Sequence, residues 1–351
     1  MFLASILPNV FLSKNKLVAV ETCSNIAVPL FSLYVLSQVL FSEEKRLLAL
    51  AKIICLFSAI VALGGILDIW LGKNILYEHF IKNQYYDRYV AKAALVRPIS
   101  TQFNPAPLGT YLLACIPFGF VLIGERRKIL RITGLLSIIL NTLVLILTFS
   151  RAAFVGLFVS LLFFLWYKRK KLTILLLLLA FFLTVALSSF LKPGRGFDRF
   201  GVRGIIFGQN YTSPLSNYRL ARMEMVFKML KDSPLFGIGL NHIRTRFFEY
   251  YPGGKDVGYE WRIADNMYLT LLAETGLIGF FSFLVFIFYL FRNGLRKFNE
   301  LKDGIKREIL LVGLSALLGV LVNMAGYELF YWHIPFLLFC FLCGLVASQS
   351  C

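Results

Sequence analysis

The chain has 351 residues, 58% of them hydrophobic and 16% charged, with a mean hydropathy of +0.72. That composition excludes an ordinary soluble domain and fits an integral membrane protein. Its 37 lysines and arginines against 19 acids leave a net charge of +18, a balance that suits an anionic partner and raises nucleic acid until the cations are placed.

A membrane helix needs about 20 mainly apolar residues. Spans are predicted at 17–41, 47–71, 106–123, 129–149, 151–167, 172–191, 267–291, 309–327 and 331–348, nine in all. The fold class is therefore all-α, a polytopic membrane bundle. Residues 1–12 are apolar but too short to span, and without a basic n-region they do not read as a signal peptide. Seventeen of the 37 cations flank four short connections: Lys45, Arg46 and Lys52; Arg126, Arg127, Lys128 and Arg131; Lys168, Arg169, Lys170 and Lys171; Arg292, Arg296, Lys297, Lys302, Lys306 and Arg307. Nine spans put all four on one side, and positive charge in short loops marks that side as cytoplasmic. Segment 72–105, the Ser150-Arg151 turn, a long loop at 192–262 and a turn at 327–333 then lie outside. The long loop faces away from the cytoplasm, so nucleic acid is not an expected partner.

Segment 73–102 mixes aromatics with charges and reads as an interfacial or re-entrant piece, closing an N-terminal region at 1–105. The loop 192–262 holds twelve cations and six acids. Its start, 192–208, is glycine-rich and expected to be irregular. Residues 217–231 have helical spacing, with Met223, Phe227 and Leu230 on one face and Arg219 and Arg222 on another. Ser233-Pro234-Leu235-Phe236-Gly237-Ile238-Gly239 stops that helix. Residues 247–258 read as an aromatic surface loop able to reorder over a substrate.

Candidate chemistry collects around this loop. Arg151 opens a span, where it either snorkels to water or clamps phosphate with its planar fork of donors. Arg219 and Arg222 carry the same choice between solvated charge and phosphate ligand. Asp265 and Asn266 stand at the loop exit. Asp265 is either the N-cap of the next span or a general base for a hydroxyl. Glu274 lies inside that span, where a carboxyl is costly; it is either functional or paired with an arginine such as Arg151. Gly276 and Gly279 beside it read as close-packing positions. His242 reads as a loop residue, and His333 as part of an aromatic belt with Tyr331 and Trp332. His79 shares no ligand spacing with either, so no metal is expected. Cys340 and Cys343 read as small core residues rather than a zinc pair. No Walker loop, H-E-x-x-H or G-x-S-x-G occurs.

The motifs follow a recognisable order. Ser100-Thr101-Gln102-Phe103-Asn104-Pro105 precedes a span, and Thr148-Phe149-Ser150-Arg151-Ala152-Ala153 opens another. Arg219 stands on the helix closed by Lys231-Asp232-Ser233-Pro234-Leu235-Phe236-Gly237-Ile238-Gly239. Asp265-Asn266-Met267-Tyr268-Leu269 and Leu272-Ala273-Glu274-Thr275-Gly276-Leu277-Ile278-Gly279 follow. From about residue 97 onward this resembles the O-antigen ligase and O-antigen polymerase superfamily.

The resemblance implies a metal-independent, cofactor-free membrane glycosyltransferase of the GT-C type in the bacterial inner membrane, with 106–348 as its domain. Such enzymes pass a glycan from an undecaprenyl-diphosphate carrier to an acceptor, such as lipid A core or a growing polysaccharide, on the periplasmic face. Arg151 and Arg219 match arginines thought to hold the diphosphate. The family's ligases have a histidine where this chain has Asp265, so ligase and polymerase types both stay open. Catalytic roles are expected for Asp265, Arg219 and Arg151, and substrate binding for Arg222, Asn266 and Glu274. The alternative is a transporter or flippase of an anionic solute or lipid-linked sugar.

Overall fold

The computed structural model describes residues 2–12, 15–41, 43–76, 97–175, 178, 214–251 and 262–348. Among the described residues there are helices and turns but no strand: α1 Phe2–Leu12, α2 Lys16–Phe41, α3 Glu44–Leu71, α4 Pro105–Cys115, α5 Phe118–Ile123, α6 Lys128–Leu147, α7 Arg151–Tyr167, α8 Pro214–Asp232, α9 His242–Tyr250, α10 Met267–Glu300, α11 Ile305–Asn323 and α12 His333–Ser348. Among the described residues six segments are long and apolar enough to cross a membrane: Lys16–Ser37, Glu44–Leu71, Pro105–Ile123, Lys128–Leu147, Met267–Glu300 and Ile305–Gly326. Two shorter apolar helices, α7 and α12, coincide with two more predicted spans. Most of the ninth, at 172–191, lies outside the described residues, as do 77–96, all of 192–208 and 252–261.

The apolar residues divide by face. Leu17, Phe31, Ile53, Phe57, Ile129 and Phe288 are exposed on their helices, while Leu112, Leu145, Leu317 and Phe339 are buried. An exposed apolar belt on a helical bundle suits lipid contact. Small residues let the inner helices approach closely: a Cβ on Gly156 of α7 would lie 2.5 Å from the Gly319 carbonyl of α11. Cys340 and Cys343 are buried and free, packed within α12.

Chain direction fixes two ends. At one, Lys168 after α7 pairs with Glu308 of α11, and Arg307 stacks over Phe298 of α10. The connections rich in lysine and arginine therefore meet here. At the other, α7 and α10 begin and α11 ends. A Cβ on Gly326 would lie 2.9 Å from Ala152 Cβ, and Asn266 Nδ2 donates to the Ala325 carbonyl at 2.8 Å. Arg151 and Asp265 thus stand beside the same Ala325-Gly326 turn.

The piece at 97–104 is turn-rich, as expected, and it is buried rather than superficial. Asp68 of α3 accepts from the Ile99 and Ser100 amides at 3.0 and 2.6 Å and from Asn74 at 2.8 Å. Asn104 then caps α4 by accepting from the Ala106 amide at 3.0 Å.

α10 is broken. Gly276 has φ 62° and ψ −168° inside it, and the Pro234–Gly239 turn fills the gap. Leu277 and Ile278 donate to the carbonyls of Pro234 and Leu235 at 2.9 and 3.1 Å, while Ile238 and Gly239 donate to Ala273 and Glu274 at 2.9 and 3.1 Å. Unpaired backbone groups in a span cost several kcal/mol each, and this exchange satisfies them. The proline–glycine run ends α8 as predicted, and it also locks the extramembrane segment into the span.

Two readings of that segment need correction. Residues 247–250 are not loop: α9 covers His242–Tyr250 and buries Phe247 completely. The buried face of α8 is the reverse of the apolar one singled out from the sequence. Met223 and Phe227 are exposed, whereas Arg222, Met225, Val226 and Met229 are buried. Those four also obey helical spacing, and the carboxyl groups facing Arg222 make its burial tolerable.

Candidate active site

Asp265 is the centre of the site. Its carboxylate lies 3.9 Å from Arg219 and 3.8 Å from Arg222. A charge-assisted hydrogen bond is nearer 2.7–2.9 Å, so both pairs are longer than a direct hydrogen bond. Asp265 and Arg219 are partly exposed, their side chains 34% and 50% accessible, whereas Arg222 is 1% accessible. Such exposed pairs contribute little to stability, which leaves Asp265 and Arg219 available to a substrate.

Asp265 is not the helix cap. It has φ 61°, in the left-handed region, and the cap is Asn266, whose Oδ1 accepts from the Tyr268 and Leu269 amides at 2.9 and 3.1 Å. With Asn266 Nδ2 on Ala325, its amide is engaged at both ends. Capping by Asn266 frees the Asp265 side chain for chemistry.

Beneath this surface lies a buried polar cluster that the sequence reading did not assemble. Glu328, 3% exposed, accepts from the Ala264 amide and from Thr270 Oγ1, both at 2.7 Å. Burial pushes its carboxyl above the usual glutamate value, while Thr270, the Ala264 amide and Arg244 pull it back. Burial also pushes the Arg222 guanidinium down to about 10, against the upward pull of Asp265 and Glu328. Arg222 is therefore a desolvated cation held between carboxyl groups.

Glu274 is buried and accepts from the Ile243 amide at 3.3 Å, from the Asn241 backbone and from the Tyr331 hydroxyl. Its partners are thus α9 and Tyr331, not the arginine expected. Arg244 stacks 5.3 Å from the Tyr331 ring and carries the network toward Glu328. His242 is buried, not a loop residue: its Nε2 accepts from the Asn15 amide at 3.3 Å, and its Nδ1 lies 2.8 Å from the Leu240 carbonyl. It ties α9 to the start of α2.

The structure therefore brings Arg219, Arg222 and Asp265 together directly and joins Glu274 to them through the buried network. Arg151 stands at the same end, half-buried, behind the Ala325-Gly326 turn. Glu328, Arg244 and Tyr331 were missed. A carboxyl between two apolar segments was the available signal for Glu328.

Residues 136–284 match the family model described as O-antigen ligase. The chain carries an O-antigen ligase domain. That domain contains Arg151, Arg219, Arg222, Asp265, Asn266 and Glu274, while Glu328 and Tyr331 lie beyond it. Both motifs that interlock at Gly276 also fall within the O-antigen ligase domain. With helices long and apolar enough to cross a membrane, the domain supports a membrane enzyme that modifies glycans. Comparison with curated proteins gives no match.

Proposed function

We propose that the chain is a glycosyltransferase of ligase or polymerase type that takes a glycan from a polyprenyl-diphosphate carrier. The observation that carries this is the convergence of Arg219 and Arg222 on Asp265 at the mouth of a span, inside the O-antigen ligase domain. In this reading Asp265 accepts the proton of an acceptor hydroxyl. The oxygen attacks the anomeric carbon of the donor sugar. The bond from that carbon to the phosphate oxygen breaks, and the polyprenyl diphosphate leaves with the electron pair. Arg219 holds the diphosphate, and the buried Arg222 behind it adds its charge to stabilise the leaving group, the larger electrostatic part of such catalysis; Arg151 stands at the same end to assist. The proton on Asp265 passes to water.

The donor is a lipid, and the exposed apolar faces of the bundle give its chain a place to lie. The lysine- and arginine-rich end supports a cytoplasmic assignment by the positive-inside rule, and in this reading the Asp265 end faces the periplasm across an inner membrane. Arg219→Ala, Arg222→Ala and Asp265→Ala are each expected to abolish glycan transfer while the protein still accumulates in the membrane. Full transfer by all three variants would end this reading.

One observation favours the alternative, a transporter or flippase: spans broken near a site are a device of transporters, and α10 is broken at Gly276. Movement of a labelled lipid-linked sugar across liposomes by the purified chain, without new glycan product, would support it.

A further inference from the structure

A second polar recess adjoins the site. It lies between α2, the Leu240-Asn241 turn, the start of α10 and the start of α12, with a volume of about 170 Å³. Glu21, Asn25, Asn241, Glu274, Tyr331 and His333 supply its polar lining, with Phe330 and Phe336 beside them. Glu21 and Asn25 are one turn apart on α2, a helix that otherwise reads as a span. Glu21 stands within the first two turns of that span. Glu21 is exposed, and among the described residues its carboxylate has no hydrogen bond or ion pair.

Charge decides what fits. Among the described residues no lysine or arginine lines the recess, whereas Arg219 and Arg222 crowd around Asp265. An anionic diphosphate belongs with the arginines and is disfavoured beside Glu21. Carboxyl, amide, imidazole and hydroxyl groups together offer donors and acceptors, and the aromatic rings offer apolar faces. That mixture suits a neutral ring carrying several hydroxyls. Whole-ligand sites usually run to about 300–1,000 Å³, so this space suits one ring rather than an oligosaccharide or a lipid. It is also near the chemistry: Met267 lines it and stands two residues after Asp265, at most about 7 Å along the chain.

We propose that this recess is the acceptor's sugar subsite, taking one neutral, hydroxyl-bearing ring through Glu21 and Asn25 and presenting it to Asp265. This rests on the transferase reading, and Glu21 and Asn25 lie outside the O-antigen ligase domain match.

The test uses the full chain in lipid nanodiscs and saturation-transfer NMR with four probes: methyl glucoside, methyl galactoside, methyl mannoside and methyl N-acetylglucosaminide. Saturation is expected to reach at least one glycoside. Glu21→Ala combined with Asn25→Ala is expected to abolish the signal. Asn25→Trp, which fills the recess and keeps Glu21, carries the same expectation. Arg222→Ala and Asp265→Asn are expected to keep it. No saturation of any glycoside by the wild-type chain, or an undiminished signal in the folded Asn25→Trp variant, overturns the subsite. Transfer by Asp265→Asn is read separately, so failure of the transferase reading is distinguishable from failure of the subsite.

Discussion

Gly237 and Gly276 face each other backbone to backbone. A Cβ on Gly237 would lie 2.4 Å from the Glu274 carbonyl carbon, and one on Gly276 would lie 2.4 Å from the Leu235 carbonyl oxygen. Both have positive φ, 70° and 62°, so an L side chain there is strained as well as crowded. This contact is what holds the arginines of α8 against a membrane span.

Gly237→Ala and Gly276→Ala are accordingly expected to be more harmful than a helix-propensity change. Each adds a strained backbone, about 1–3 kcal/mol, to a backbone clash with no flexible side chain to give way. Thermal unfolding in detergent should show a lowered midpoint for both, whereas Gly124→Ala, whose Cβ would meet nothing closer than 3.4 Å, should unfold near wild type.

Arg222→Lys tests whether the buried cation is needed as a planar fork or only as a charge. Lysine is a more strongly hydrated point charge and loses its proton more readily on burial. Glycan transfer is expected to fall by at least about tenfold, a loss of about 1.4 kcal/mol of transition-state stabilisation. Initial rates with a lipid-diphosphate-linked glycan measure this.

Glu328 gives a pH dependence with a definite sign. Its folded-state carboxyl is raised above the ordinary glutamate value, chiefly by burial. Folding therefore favours the protonated form, and this contribution to stability shrinks as pH rises from the unfolded value of about 4.5 through the raised one. Asp265, Arg244, Arg222 and Glu274 surround it and remain in the variant. The unfolding midpoint of the wild type, minus that of Glu328→Gln, should decline as pH rises through this window and then level off. A difference that grows with pH would contradict the burial account.

In the proposed mechanism the charge of Arg219 and Arg222 replaces the divalent cation that can serve a diphosphate elsewhere. Glycan transfer is therefore expected to survive treatment with excess EDTA followed by removal of the chelate. Loss of activity restored by added magnesium would show that the arginines do not suffice.

The bundle was legible because apolar runs of span length have few alternative fates. The loop was less so. Helical spacing located α8, but it permits two inner faces, and Met223-Phe227-Leu230 competes with Arg222-Met225-Val226-Met229 on equal terms. Arg222 reads as solvated until Asp265 and Glu328 are brought to it by folding. Asp265 and Asn266 are both good caps in sequence, and the left-handed φ of Asp265 that gives the cap to Asn266 has no local signature. Arg244 and Tyr331 gain meaning from each other, across a distance in the chain that periodicity does not report.

The most direct measurement is the initial rate of glycan transfer by Asp265→Asn in nanodiscs, with a polyprenyl-diphosphate-linked glycan and its acceptor. Asparagine tolerates the left-handed conformation, so the substitution removes the charge and keeps the turn. A positioned general base contributes about 10²–10⁴-fold. A fall of at least about a hundredfold, with the unfolding midpoint unchanged, is the predicted result. A rate within a few-fold of wild type would contradict the assignment of Asp265 as the base.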